Sequence, residues 1–128
     1  MGFKIRLGQP EFEKFWNNLV NNYRDNTISK KDLKIFKQIV KTMKLLCCSP
    51  KHNSLHSHEI FELTKENGIK IWQSYIVNNT PAAGRIFWAY GPGKGEITIL
   101  GYSPHPDDKK GAYKSLNLSG FPKLPNEE

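Results

Sequence analysis

The spacing of hydrophobic residues predicts the elements of the first half of the chain. Phe3 to Leu7 is a short run ended by Gly8, and it predicts a first strand. Apolar residues repeat at helical spacing from Phe12 to Tyr23, so we predict a first helix there. Pro10 suits the first turn of this helix, because a missing N–H costs nothing at that position. Asp25-Asn26-Thr27 breaks the helical pattern.

A second helix is predicted from Lys30 to about Cys48. Ser29, followed three residues later by Asp32, is a helix N-cap signal. Pro50 disfavours helical geometry at the residue before it, so the helix should end there. One face of this helix carries an apolar stripe: Leu33, Phe36, Ile39, Val40, Met43 and Leu46. The short link between the two helices predicts a helical hairpin.

The second half of the chain carries strand and turn signals. The segments 59–65 and 69–77 flank Asn67-Gly68, a dipeptide typical of β-hairpin turns. The segments 85–90 and 96–102 flank a glycine-rich loop and predict a second hairpin. Short connections between four successive strands predict an antiparallel meander.

Together these elements predict one α+β domain over residues 1–128. Its order is an N-terminal strand, a helical hairpin and a four-stranded antiparallel meander. A length of 128 residues favours a single domain that needs no metal or disulfide for its core. We expect a short flexible C-terminal tail from about residue 119, where prolines interrupt the sequence.

The positive charge is concentrated in one segment. The chain has a net charge of +7, and residues 30–51 hold seven Lys and one Asp, which is +6 of that total. Five of these lysines form a single row on the predicted second helix, the lysine stripe: Lys30, Lys34, Lys37, Lys41 and Lys44. The stripe is either a solvated helix face or an anion-binding surface for a phosphodiester backbone or an acidic partner segment. A membrane surface is less favoured, because the apolar stripe has the width of a core helix.

Other features exclude several classes of protein. No apolar run approaches the length of a membrane span, and the N-terminus lacks a signal-peptide hydrophobic region. The two cysteines, Cys47 and Cys48, are adjacent and offer no disulfide framework. His52, His56 and His58 are close in sequence but lack a convincing fourth ligand, so we expect no zinc site. The expectation is a cytoplasmic domain without a metal or cofactor.

Candidate chemistry begins at Arg85. The strand Arg85-Ile86-Phe87-Trp88-Ala89-Tyr90 precedes Glu96-Ile97-Thr98-Ile99-Leu100-Gly101, and a segment with His105, Lys109, Lys110 and Tyr113 follows. This pattern resembles the RelE/ParE superfamily of bacterial toxins, which includes the RelE, YoeB and HigB ribonucleases. The motif resemblance covers about residues 55–118, and the predicted order of elements is also similar. Trp72 stands where some members carry a second strand lysine.

The resemblance implies a set of site residues. Arg85 matches the sheet arginine at the scissile phosphate, and Lys70 matches a strand lysine proposed as base or transition-state stabiliser. Tyr113 matches the terminal tyrosine, and His105 matches the histidine that some members carry. Lys110 and its neighbour Lys109 match the basic residues that precede the tyrosine. The resemblance further implies a toxin of a type II toxin–antitoxin pair that cleaves mRNA at the ribosome and binds a cognate acidic antitoxin.

Elementary chemistry supports the same residue types. RNA cleavage by its own 2′-hydroxyl needs a base, a cation on the phosphate and an acid for the leaving 5′-oxygen. The planar guanidinium of Arg suits phosphate oxygens, and His titrates near neutral pH. Tyr can orient a hydroxyl or stack on a base. Candidate contacts to RNA or to the antitoxin are Lys109, Lys94 at the tip of the glycine-rich loop, and four lysines of the stripe: Lys34, Lys37, Lys41 and Lys44.

Alternatives remain open from sequence. Arg85 could simply pair with Glu96 across its hairpin, and Lys70 could be a solvent-facing lysine. His105 could be an exposed loop residue and Tyr113 a packing residue. The whole chain could instead be a ParE-like inhibitor of DNA gyrase, or a non-catalytic nucleic-acid-binding relative, because a fold does not fix a function.

Overall fold

A computed structural model describes residues 2–76, 84–103 and 118–119. Within those residues the chain is an α+β domain, as the sequence predicts. In chain order the elements are strand β1 (Lys4–Leu7), helices α1 (Glu11–Arg24) and α2 (Lys30–Cys48), a 3-10 turn (Asn53–Leu55), strand β2 (His58–Glu59), helix α3 (Phe61–Asn67), and strands β3 (Trp72–Tyr75), β4 (Arg85–Tyr90) and β5 (Glu96–Ser103).

The helical hairpin agrees with the sequence prediction. The Ser29 hydroxyl accepts a hydrogen bond from the Asp32 N–H at 3.0 Å and caps α2. Pro10 is the N-cap of α1 and lies just before its first turn. The two helices pair through stacked aromatic rings, with centroids 5.2 Å apart for Trp16 and Phe36 and 4.9 Å apart for Tyr23 and Phe36.

The predicted hairpin at Asn67-Gly68 is wrong. Residues 61–67 form helix α3, and Gly68 ends it with a left-handed φ of 71° while its N–H bonds the Thr64 carbonyl. A type I′ turn and a helix C-cap both need a residue with positive φ, so the dipeptide alone does not distinguish them. In the helix that forms, Leu63 is only 2% exposed and belongs to the cluster on this face of the sheet.

The sheet has the order β1-β5-β4-β3-β2. Strands β2 to β5 form the predicted antiparallel meander, with α3 inserted between β2 and β3. The first strand joins the sheet parallel to β5, with Ile5 opposite Ile97. The result is a mixed five-stranded sheet, and β5 lies between β1 and β4.

Two apolar clusters cover the two faces of this sheet. The helical hairpin packs on one face against a cluster that contains Phe12, Ile39, Leu46, Leu55, Ile76, Ile86, Trp88, Ile97 and Ile99. On the other face α3 packs over Ile60, Leu63, Ile71, Phe87, Ala89 and Leu100. Residues alternate between the faces along β4, so Ile86 and Trp88 face the hairpin while Phe87 and Ala89 face α3.

The ion pair suggested between Arg85 and Glu96 does not form. These residues lie at opposite ends of the β4–β5 ladder, where Arg85 is opposite Ser103. Glu96 instead pairs with Arg6 of β1, with 3.3 Å between Nη1 and Oε1. Desolvation opposes ionisation of this carboxyl, but the Gly93 N–H and the charges of Arg6 and Lys4 together lower the pKa of Glu96.

Two further findings concern the described ranges. Within them, no helix has the combined length and apolar character needed to cross a bilayer. The same ranges contain no group of three or more His, Cys, Asp or Glu side chains placed to hold a metal ion, and this includes His52, His56 and His58.

Candidate functional site

Four side chains with useful chemistry lie in a row across one end of the sheet. The register places Tyr75 of β3 opposite Arg85 of β4, and Arg85 opposite Ser103 of β5. The ring of His56, two residues before β2, lies 5.4 Å from the ring of Tyr75. We call His56, Tyr75, Arg85 and Ser103 the polar row. It lies on the α3 side of the sheet, because Arg85 has the same strand parity as Phe87.

Arg85 is the innermost cation of the polar row. Its Cζ lies 4.7 Å from the centroid of the Tyr75 ring, which is a cation–π contact. The residue is only 4% exposed. A phosphate can therefore reach the guanidinium only if the side chains that cover it move.

His56 forms the exposed end of the row. It closes the 3-10 turn with a left-handed φ of 49°, a conformation that Asn also tolerates well. The adjacent Ser57 hydroxyl bonds the Pro50 carbonyl and the Ser74 hydroxyl, both at 2.6 Å. Because Ser74 belongs to β3, these bonds hold the segment that carries His56 against the sheet.

Four of the predicted site residues follow Ser103 in the sequence. His105, Lys109, Lys110 and Tyr113 lie outside the described residues. Ser103, two positions before His105, is opposite Arg85.

Beyond that segment the chain is again anchored to the domain. Leu118 packs against the α3-side cluster. The Ser119 N–H bonds the Leu100 carbonyl, and the Ser119 hydroxyl accepts a bond from the Phe12 N–H, both at 2.8 Å. Residues 118 and 119 are therefore fixed to the sheet and to α1.

Lys70 and Lys94 do not join the polar row. Lys70 is exposed, and it lies in the turn between α3 and β3, since β3 begins only at Trp72. Lys70 precedes Tyr75 by five residues, equivalent to about 17 Å of extended chain. Lys94 is exposed in the β4–β5 loop, also at the end of the sheet away from Arg85. The catalytic role expected for Lys70 thus has no support from proximity to Arg85.

The lysine stripe lies on the outer surface of α2, where all five of its members are exposed. Beside it lies an apolar depression of about 550 Å³, the helix groove, lined by Trp16, Val40, Met43, Lys44, Cys47 and Cys48. Lys44 belongs to both features. A row of cations therefore runs along an apolar groove between α1 and α2.

Sequence reasoning missed two members of the polar row. The sequence indicates His56 only as one of three closely spaced histidines and Tyr75 only as part of the predicted strand 69–77. Pairing the predicted strands 69–77 and 85–90 places Tyr75 near Arg85, but the register depends on the length of the intervening turn. His56 lies beside Tyr75 at the end of a 3-10 turn that precedes the two-residue strand β2, and the sequence does not predict that turn.

The polar row combines a guanidinium, a phenol and an imidazole within ring-contact distances. Those groups can bind a phosphate, orient a hydroxyl and transfer a proton near neutral pH. No family model, curated protein or solved structure matches this chain.

Proposed function

We propose that this chain is an endoribonuclease of the RelE/ParE type, the toxin of a type II toxin–antitoxin pair. It acts in the cytoplasm on mRNA, at the ribosome, by metal-independent cleavage. The observation that carries the proposal is the contact series from His56 to Tyr75 to Arg85 at one end of the sheet. The order of strand, helical hairpin and sheet supports it as well.

In the proposed reaction the RNA 2′-hydroxyl attacks the adjacent phosphorus, and the bond to the 5′-oxygen breaks. Arg85 binds the phosphate oxygens and stabilises the charge that builds there. His56 transfers a proton at the attacking or the leaving oxygen, and Tyr75 orients the nucleotide. The products are a 2′,3′-cyclic phosphate and a free 5′-hydroxyl. His105, Lys110 and Tyr113 remain candidates for the second proton transfer and for substrate contacts, because the resemblance to the RelE/ParE toxins implies those roles.

One observation favours a second candidate, a non-catalytic RNA-binding relative. The guanidinium of Arg85 is buried and stacked on Tyr75, which suits a structural role. In that case the protein binds RNA through its lysines without cleaving it. The two functions differ in whether the wild-type protein cleaves RNA, and only the first makes cleavage depend on the exposed His56.

The first test is controlled expression of the chain in a bacterial host. We expect growth arrest and transcripts with new 5′-hydroxyl ends. Induction of a DNA-damage response with intact transcripts would support a gyrase inhibitor instead. Salt-sensitive RNA binding without cleavage would support the non-catalytic relative.

Substitution of His56 by Asn should lower the cleavage rate about 100-fold or more, the usual range for loss of a general acid or base. Asn accepts the left-handed backbone at this position but cannot act as a general acid or base. The rate would be measured on a short RNA or on ribosome-bound mRNA.

His52→Asn is the matched control. His52 is also exposed, and its Nδ1 accepts a bond from the Ser54 N–H at 3.1 Å as the cap of the 3-10 turn, a role that Asn can take. We expect this variant to cleave like wild type. Equal activity of the His56 and His52 variants would remove His56 from the mechanism.

The proposed antitoxin binds along the helix groove. An acidic amphipathic helix matches this surface, because its apolar side chains can enter the groove while its carboxylates meet Lys37, Lys41 and Lys44. Charge complementarity of this kind increases association rate and specificity. All three lysines are exposed, and the only acidic residue in α2 is Asp32 in its first turn.

The double variant Lys37→Glu/Lys41→Glu should remain toxic but escape neutralisation by the product of the neighbouring gene. Two charge reversals place like charges against an acidic partner and should weaken binding about 100-fold or more. Co-expression and growth measure the escape. Lys65→Glu, at an exposed lysine of α3 on the other side of the sheet, is the control and should stay neutralised. Full neutralisation of the double variant would refute this binding site.

A further inference from the structure

The end of the sheet away from the polar row carries a cluster of aromatic rings. Tyr90, the last residue of β4, is 40% exposed although it is a large aromatic residue. Its ring lies edge-on to Trp88 and Trp72, at centroid distances of 5.0 Å and 6.0 Å, and 5.7 Å from Phe3. We call Phe3, Trp72, Trp88 and Tyr90 the aromatic end. It lies on the side of the sheet covered by the helical hairpin.

Buried contacts fix the inner side of this cluster. Trp88 is fully buried, and its indole N–H donates to the Ser74 hydroxyl at 2.8 Å. Trp72 stacks on Trp88 with centroids 5.6 Å apart and an interplanar angle of 16°. Tyr90 therefore projects its exposed ring from a fixed base, which limits the entropy lost when a flat ligand stacks on it.

Lysines lie at the same end of the sheet as this exposed ring. The Lys51 ammonium lies 5.1 Å from the Trp72 ring centroid. Lys70 precedes Trp72 by two residues, at the register position opposite Tyr90, and Lys94 lies in the loop after Tyr90. Lys4 is opposite Glu96 in the β1–β5 pair and lies on the other face from Phe3. All four lysines are exposed.

The acids near the aromatic end do not offset these lysines. Glu96 is bound by Arg6 and by the Gly93 N–H at 2.8 Å. Glu59, opposite Trp72 in the β2–β3 pair, is half-buried. The four lysines and Arg6 outnumber Glu59 and Glu96, so these charged groups together carry a net positive charge.

We infer that the aromatic end is a second RNA-binding surface, on which a single-stranded segment stacks a base against Tyr90 and places its phosphates near Lys51 and Lys94. An exposed aromatic ring flanked by lysines is the arrangement that binds single strands with little base preference, because every base has a π-face. This surface and Arg85 lie on opposite faces and at opposite ends of the sheet, so it holds RNA outside the cleavage site. The inference rests on the proposed function only for its choice of RNA.

The test uses a labelled 2′-O-methyl oligoribonucleotide, which lacks the attacking hydroxyl and is not cleaved. We expect Tyr90→Ala to weaken its binding about 10-fold or more, as loss of one base stack does, while Tyr90→Phe stays within about twofold of wild type because it keeps the ring. Lys51→Gln and Lys94→Gln should each weaken binding and reduce its salt dependence. Lys65→Gln is the distant control, and thermal unfolding monitors the fold of each variant.

The outcomes separate this inference from the proposed cleavage. If Tyr90→Ala binds the oligonucleotide like wild type, the aromatic end is only packing and the inference is wrong, whatever the cleavage assay shows. If Tyr90→Ala and Tyr90→Phe weaken binding equally, stacking is likewise refuted. Loss of binding in Tyr90→Ala alone supports the surface even where wild type cleaves no RNA.

Discussion

Replacement of Arg85 by Lys should lower RNA cleavage about 100-fold or more, the usual cost of losing one donor to a developing anionic charge. Lys keeps the positive charge but replaces the planar guanidinium by a point charge, so it cannot hold two phosphate oxygens at once. The contact with the Tyr75 ring should also weaken, because the fit of the flat guanidinium on the ring is lost. Initial rates on a short RNA measure the effect.

Arg6→Lys is the control for this substitution. Arg6 lies at the opposite end of the sheet, where it pairs with Glu96, and a partly exposed pair of this kind contributes little to stability. We expect the variant to cleave like wild type. Since Arg85 is buried, thermal unfolding of Arg85→Lys must be measured beside the rate. Cleavage within threefold of wild type by a folded Arg85→Lys protein would show that the guanidinium is structural.

The helical hairpin could be predicted from sequence because its signals are local. An apolar residue every three or four positions and a Ser29 cap define α1 and α2 without knowledge of the rest of the chain. Strands β4 and β5 were equally clear, since their runs of apolar residues are bounded by glycines. Nothing distant competes with these preferences.

The failures have non-local causes. Asn67-Gly68 satisfies both a hairpin turn and a helix end, and the structure has the second, with Leu63 of α3 buried against the sheet. The parallel pairing of β1 with β5 joins Ile5 to Ile97, which are separated by most of the chain. No local pattern specifies such a pair, because parallel strands need a long connection, and here that connection includes helices α1 to α3 and strands β2 to β4.

The candidate site could be predicted only in part. The sequence predicts Arg85 as a candidate on a strand, but the residues beside it depend on the strand register. Tyr75 faces Arg85 because of where β3 and β4 pair, and His56 joins them through an irregular turn rather than a strand. Proximity across a sheet thus depends on how the strands pair in the folded chain, and the sequence of each strand alone does not give it.

Truncation of Trp88 to Ala should lower the free energy of unfolding by about 3–5 kcal/mol, the usual cost of removing a buried large aromatic side chain. Trp88 is fully buried, stacks on Trp72, and belongs to the cluster beneath the helical hairpin. Its loss leaves a cavity and removes the base of the aromatic end. Urea unfolding followed by circular dichroism measures the change.

Two further variants separate the causes of this effect. Ser74→Ala leaves the buried indole N–H of Trp88 without its 2.8 Å acceptor and should cost about 1–3 kcal/mol. Tyr23→Ala removes an aromatic ring that is 49% exposed and should cost less than the truncation of Trp88. If Trp88→Ala were no more destabilising than Tyr23→Ala, Trp88 would not be the centre of the core. We expect Trp88→Ala to lower the free energy of unfolding more than Ser74→Ala does. That order would show that packing of the indole stabilises the fold more than its hydrogen bond, because the cavity left by a closely packed side chain collapses only partially.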